Sequence, residues 1–325
     1  MATERDPVQE KTDGSTDLYD IATWEARSRL DGVAVFIYRA VRFVVRWLLI
    51  LLAFGILLAQ LALGGLGATL LDPPVAVFVA LSIVPALLLV AYVRYADATT
   101  TEPLSLLVGT FALGVLFAGF AGVLNSAAQP LFQSIPVIGT VLFFYVVVGP
   151  VEETVKLLAV RLYPYRDGRF DAVVDGAVYG AVAGLGFATI ENAIYIAGQV
   201  NDPTLANVFI AGGGITPLRA LAGPGHVIYS AVAGYYLGLA KFNPDRAGPI
   251  VVKGLLIATL IHATYNTLSA VVPGLISLFV PGLPPIFAFL GFVLVYDTIF
   301  GLYLYRKLAR YRKAYHGANA GRVAD

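Results

Sequence analysis

Blocks of roughly 20 apolar residues run along most of the chain, and short polar or proline- and glycine-bearing joints separate them. A helix that crosses a bilayer needs about 20 mostly apolar residues, so the pattern predicts a series of spanning helices. Eight are expected, over 47–71, 75–93, 104–124, 137–160, 174–198, 217–240, 250–272 and 283–305. These blocks are too long for strands and lack the alternation that marks a membrane barrel. Proline and glycine break the helical repeat at Asp72-Pro73-Pro74, Asn201-Asp202-Pro203, Pro273-Gly274 and Pro281 to Pro285. The apolar stretch 273–285 reads as a re-entrant loop or an interfacial turn. The expected fold class is all-α, a polytopic membrane protein with about eight transmembrane helices. Its regions are a polar cytoplasmic lead-in (1–46), helices one to three (47–136), a four-helix core holding the candidate chemistry (137–272), an eighth helix (273–305) and a basic cytoplasmic tail (306–325). The lead-in has no short apolar core of the kind a cleavable signal peptide needs.

Composition agrees and narrows the chemistry. Of 325 residues, 58% are hydrophobic and 13% charged, about half the charge of a soluble domain. A net charge of +1 offers no field to recruit nucleic acid. With no cysteine, thiol nucleophiles, disulfides and Cys-ligated metals are excluded. Of the three histidines, His316 lies in the polar tail, so histidine chemistry falls to His226 and His262. Orientation follows from lysine and arginine. Of the 22 basic residues, 21 lie on, or lean toward, one side if both termini are cytoplasmic. A multi-pass protein of the cell membrane, N-in and C-in, is expected. Arg219 breaks the rule at the outer end of the sixth helix, and it reads as an arginine turned inward to hold an anion rather than a snorkelling one.

Several polar residues sit where lipid does not favour them: Glu152, Glu153, Lys156, Asp175, Glu191, Asn192, His226, His262, Asn266 and Asp297. An ionisable group at the centre of a spanning helix costs about 2.5–3.5 kcal/mol, so Glu152, Glu153, Lys156 and Glu191 facing lipid would cost roughly 10–14 kcal/mol together. Groups retained against such a cost normally face a polar interior and mark a site. Lys156 follows Glu153 by three residues and Glu152 by four, so it can lean on either carboxylate. His262 and Asn266 are four apart on one face, and Arg219 and His226 are two turns apart. At 1.5 Å per residue, Glu152 and Glu153 lie about 10–15 Å from the cytoplasmic end, His262 about 18 Å, His226 about 21 Å and Glu191 about 25 Å. A break at Gly184-Leu185-Gly186 is one way to close that gap. Asp175 and Asp297, near the cytoplasmic ends, read as structural partners.

Four segments in this order resemble the PrsW family: Glu152-Glu153-Thr154-Val155-Lys156, Phe187-Ala188-Thr189-Ile190-Glu191-Asn192, Arg219-Ala220-Leu221 through His226, and His262 with Asn266. The resemblance spans roughly 145–270. That family consists of intramembrane proteases, distantly similar to the CAAX prenyl- and bacteriocin-processing proteases. The latter share a phenylalanine-led motif that ends in His where this chain has Glu191. The resemblance implies cleavage of membrane-embedded or membrane-proximal segments, with the lipid bilayer as setting and no nucleic acid. Glu152, Glu153, His226 and His262 are the expected catalytic residues, supported by Lys156, Glu191, Asn192, Arg219 and Asn266. No HExxH zincin motif and no marked Ser–His pair is present, which leaves water activated by a carboxylate or through a metal. Zinc would be held by His226 and His262 with a glutamate, Glu153 or Glu191, leaving a position for water. Alternatively Glu152 or Glu153 takes the proton while His262 and Asn266 stabilise the oxyanion. The competing function is a proton- or ion-coupled transporter or channel using the same buried groups.

Overall fold

The computed structural model describes residue 17 and residues 26–63, 73–99, 102–199 and 215–322. Arg5, Lys11 and the joints at 72 and 201–203 lie outside the described residues. The elements in chain order are α1 (Arg29–Leu63), α2 (Pro73–Tyr95), α3 (Leu104–Gln133), α4 (Gly139–Phe143), a π-helical turn (Phe144–Val148), α5 (Gly149–Leu162), α6 (Val173–Gln199), α7 (Ile215–Lys241), α8 (Ala247–Phe279) and α9 (Pro285–Arg322). Turns of 3₁₀ helix, Pro164–Arg166 and Pro244–Arg246, lie in the joints before α6 and α8. No strand occurs among the described residues. Among the described residues, six helical stretches are long and apolar enough to cross a membrane: Asp31–Ala59, Val75–Tyr95, Leu104–Gln133, Val173–Ala197, Pro244–Phe279 and Pro285–His316. The other two expected spans fall on α4 to α5, which the π turn interrupts, and on α7.

Helix boundaries depart from the apolar pattern where backbone hydrogen bonding continues into polar sequence. α1 starts at Arg29 instead of 47, because Ser28 and Asp31 cap it reciprocally. The Asp31 amide donates to Ser28 Oγ (3.1 Å) and the Ser28 amide to Asp31 Oδ2 (2.7 Å). At the other end, α9 carries the helix through the basic tail to Arg322. The stretch 273–285 is not re-entrant. α8 runs through Pro273 to Phe279, and a short turn with Gly282 at φ +91° leads into α9.

Residues 1–52 and 53–325 form separate units, and α1 crosses the boundary. In the first unit, the described part of α1 exposes a run of large apolar side chains from Val33 to Leu52, as a lipid-facing helix does. The second unit holds the site. Its centre is α6, buried through most of its length and packed against α2, α3, α5 and α7. Lipid supplies no hydrophobic drive between helices, so close approach depends on small residues. Gly176, Gly180 and Gly184 of α6 meet the carbonyls of Gly234, Ser230 and His226 on α7. A Cβ at these glycines would stand 2.2, 2.2 and 2.5 Å from those oxygens. This antiparallel seam seats the backbone of His226 directly against α6.

A second close approach places the glutamates. The Gly149 amide donates to the carbonyl of Phe144, five residues back, as π geometry requires. Pro150, which has no amide hydrogen, follows at the start of α5. A Cβ at Gly149 would lie 3.0 Å from the Thr259 carbonyl of α8. Glu152 and Glu153 follow Gly149 by three and four residues, and His262 follows Thr259 by three. One backbone contact thus brings the paired glutamates and the second histidine together.

Candidate active site

Glu153 is fully buried and makes three contacts. Its Oε1 accepts from Lys156 Nζ at 2.7 Å and pairs with His262 Nδ1 at 2.8 Å. Its Oε2 accepts from Ser230 Oγ at 3.4 Å. Lys156, itself 1% exposed, stands 2.8 Å from His226 Nδ1 and 3.8 Å from Glu152 Oε2. Its ammonium lies 4.2 Å from the centroid of Phe187, a cation–π contact that replaces part of its lost hydration. An ammonium has only donors, so His226 Nδ1 must accept. His226 then carries its proton on Nε2, which stands 2.8 Å from Glu191 Oε2. The same reasoning puts the His262 proton on Nδ1, against a carboxylate that can only accept.

Glu152 differs from its neighbour. Oε1 accepts from Asn125 Nδ2 at 3.0 Å, whereas Oε2 is buried with no hydrogen-bond partner and lies 3.7 Å from His262 Nε2. Glu152, His226 and His262 each offer one ligating atom, all within 4.8 Å of one another. One carboxylate and two imidazoles are a zinc-class donor set, and the orphaned Glu152 oxygen is the acceptor such an ion would satisfy. The residues fit a metal with one exchange: His226 Nδ1 would give its lone pair to the ion in place of Lys156, since Nε2 carries the proton directed at Glu191.

The family assignment rests on the matched length. The profile of the PrsW family intramembrane metalloprotease matches residues 102–298. The chain belongs to the PrsW family. Protease PrsW of Clostridioides difficile (strain 630) is 29% identical over 189 residues, covering 57% of this chain and 76% of that protein. Protease PrsW of Bacillus subtilis (strain 168) is 27% identical over 186 residues, with 57% and 78% covered. That of Shouchella clausii (strain KSM-K16) is 26% identical over 187 residues, with 57% and 80% covered. No solved structure matches the chain. This PrsW-family chain is a membrane protease, and membership argues against the transporter alternative.

In this family member, the expected site residues fall into three groups. Glu152, Glu153, Lys156, His226 and His262 form one contact network. Glu191, Asn192 and Arg219 form a second layer joined to it through His226. Arg219 is turned inward, donating from Nη2 to Glu191 Oε2 (2.6 Å) and from Nε to Asn192 Oδ1 (2.9 Å). Asn266 stands apart, since no described hydrogen bond joins its side chain to the glutamates or histidines. The gap in depth closes without a helix break. α6 is continuous from Val173 to Gln199, and the reach of Glu191, His226 and Lys156 side chains spans it.

α2 and α3 take part in the site, although the candidate chemistry is expected from the sequence within 137–272. Asn125 of α3 holds Glu152, and Ser82 of α2 accepts from Asn192 Nδ2 at 3.0 Å. The signal for Asn125 is an amide directly after an apolar block, lost because the expected helix ends at 124 while α3 runs to Gln133.

With three histidines in the chain, ¹⁵N-histidine NMR of metal-free protein can read the two tautomers. His226 is expected as the Nε2–H form and His262 as the Nδ1–H form. Lys156→Met should leave His226 in that form, because the Glu191 carboxylate still accepts from Nε2. The opposite tautomers in the wild type would contradict this network.

Proposed function

We propose that this protease hydrolyses peptide bonds of membrane-embedded or membrane-proximal segments at the face where Glu152 Oε2 meets His262 Nε2. The observation carrying the reading is that oxygen itself, a buried carboxylate acceptor left without a hydrogen bond, since such groups are normally satisfied. Glu152, His226 and His262 are the residues that would hold a zinc-class ion, which when bound polarises a carbonyl and acidifies water. Glu153 acts as a positioning carboxylate rather than a ligand, with His262 Nδ1 and Lys156 on one oxygen. This aims His262 Nε2 at Glu152, the outer-shell arrangement that orients ligating histidines. Glu191, anchored by Arg219, accepts from the protonated His226 Nε2 and leaves Nδ1 as the nitrogen with a lone pair. If no ion is used, Glu152 Oε2 is the atom available to hold the proton of the attacking water, with Asn125 fixing the other oxygen.

Glu152→Gln and Glu153→Gln keep shape but remove ionisation. Each should lower cleavage of a co-expressed membrane substrate by about 10²–10⁴-fold. His226→Ala and His262→Ala should be inactive and His316→Ala silent. Loss of activity with phenanthroline and recovery with zinc assigns Glu152 to the metal, and indifference to the chelator assigns it to the proton. Wild-type cleavage in both Gln variants would overturn the proposal.

The same reading places eight spans in the membrane, with α4 to α5 and α7 added to the six apolar stretches and both termini cytoplasmic. What supports it is the distribution of 21 of 22 basic residues. Because the chain has no cysteine, Arg166→Cys and Asn243→Cys provide single labels. Both should resist impermeant thiol reagents in intact cells, and labelling of either from outside would reverse the topology.

A further inference from the structure

A second cluster of carboxylates lies about 24 Å along α6 from Glu191, at 1.5 Å per residue. Asp97 and Glu102 lie in the joint between α2 and α3, and Asp175 sits in the first turn of α6. Each offers a carboxylate oxygen, and these atoms lie within 4.8 Å of one another. Part of each aspartate has an ordinary structural task. Asp175 Oδ2 accepts from the amides of Asp171 (2.8 Å) and Ala172 (3.0 Å), and Asp97 Oδ1 accepts from the Thr99 amide (2.8 Å) and hydroxyl (2.7 Å). The remaining oxygens are not accounted for this way. Asp97 Oδ2 and both oxygens of Glu102 are buried with no hydrogen bond, although Glu102 is only 4% exposed.

The nearest cation does not resolve this. Arg94 Nε is 3.7 Å from Glu102 Oε2, and its Nη2 donates to the Glu102 main-chain carbonyl (3.4 Å) instead of the carboxylate. Arg94 is also 46% exposed, so water screens what charge it brings. With Arg94 half exposed and Lys241 donating to the Tyr165 and Phe170 carbonyls instead, the three carboxylates are short of positive charge. The donors are all oxygen, with no imidazole, which selects hard cations over zinc.

We propose that Asp97, Glu102 and Asp175 bind a hard divalent cation, Ca²⁺ or Mg²⁺, which ties the α2–α3 joint to the start of α6. Glu102, the open oxygen of Asp97 and Asp175 Oδ1 supply the protein ligands, with water completing the shell. Asp175 Oδ1 is near this position already, 3.5 Å from the Thr99 hydroxyl. The competing relief is a proton. Burial, and next the Asp97 carboxyl, push the Glu102 carboxyl up to about 8. The site is separate from the Glu152–His226–His262 group and does not rest on its assignment.

Full-length protein in detergent, at constant ionic strength, can be titrated with CaCl₂ or MgCl₂ while thermal unfolding is followed. The wild type should show a saturable rise of several degrees for at least one ion. Loss of outer-shell partners alone weakens metal sites about 10–100-fold, so Glu102→Gln should weaken the apparent affinity by about tenfold or more. Asp97→Asn, at a less buried position, is the second variant, and it should weaken binding likewise if Glu102→Gln folds poorly. Both variants should retain proteolysis. No saturable shift in the wild type, or the same shift in the variants, would overturn the proposal. A wild type indifferent to cations but stabilised by Glu102→Gln would assign the cluster to a shared proton.

Discussion

The ion pair between Lys156 and Glu153 is the constraint around which the rest of the site is arranged. Neither side chain is exposed, and their atoms meet at 2.7 Å. An ammonium in a membrane bundle has to be paired and hydrogen-bonded, because an uncompensated buried charge costs several kcal/mol. Lys156 meets that requirement with Glu153, His226 Nδ1 and the face of Phe187, which come from α5, α7 and α6. Satisfying one cation therefore fixes three helices relative to each other. Glu153, held on one side by Lys156, is left to hold His262 of α8 on the other. Paired charges of this kind add little net stability, since desolvation offsets the attraction. Their use here is to fix which atoms face the reaction.

Two backbone approaches make that arrangement reachable. The glycine seam between α6 and α7 seats His226, and the contact of Gly149 with Thr259 brings α5 to α8. The π turn belongs to the same device, since it shifts the helix phase immediately before the glutamate pair. Adjacent glutamates then receive different surroundings. Glu153 is saturated with partners, while Glu152 keeps one oxygen open. A division of labour between neighbouring carboxylates follows from geometry alone.

The parts legible in the sequence were those that a helical period and a charge penalty reveal. Glu152, Glu153 and Lys156 announce each other by spacing, and Arg219 by its place on the wrong side of the charge distribution. Contacts between helices are not encoded in either signal. Asn125 and Ser82 look unremarkable in their own segments and matter only because α2 and α3 pack on α6. Asn266 shares a helical face with His262, yet no described hydrogen bond brings its side chain to the cluster, since a shared face does not set the reach or rotamer of a side chain. Helix ends were least legible. Apolar composition stops at lipid, whereas backbone hydrogen bonding runs on through Arg29–Arg46 and the basic tail. The proposed metal ligands differ from those expected for a related reason. Glu153 and Glu191 are as plausible by type as Glu152, and only the distances separate a carboxylate already engaged from one left open.

The most direct test of this account is a double-mutant cycle at Glu153 and Lys156, read as equilibrium unfolding in detergent alongside cleavage. Each single change, Glu153→Gln or Lys156→Met, should destabilise the protein by about 3–5 kcal/mol by leaving a buried charge unpaired. The double variant should recover most of that loss while remaining inactive, because the carboxylate on His262 Nδ1 and the ammonium on His226 Nδ1 are then both gone. Additive destabilisation, or an active double variant, would contradict the claim that this pair organises the site.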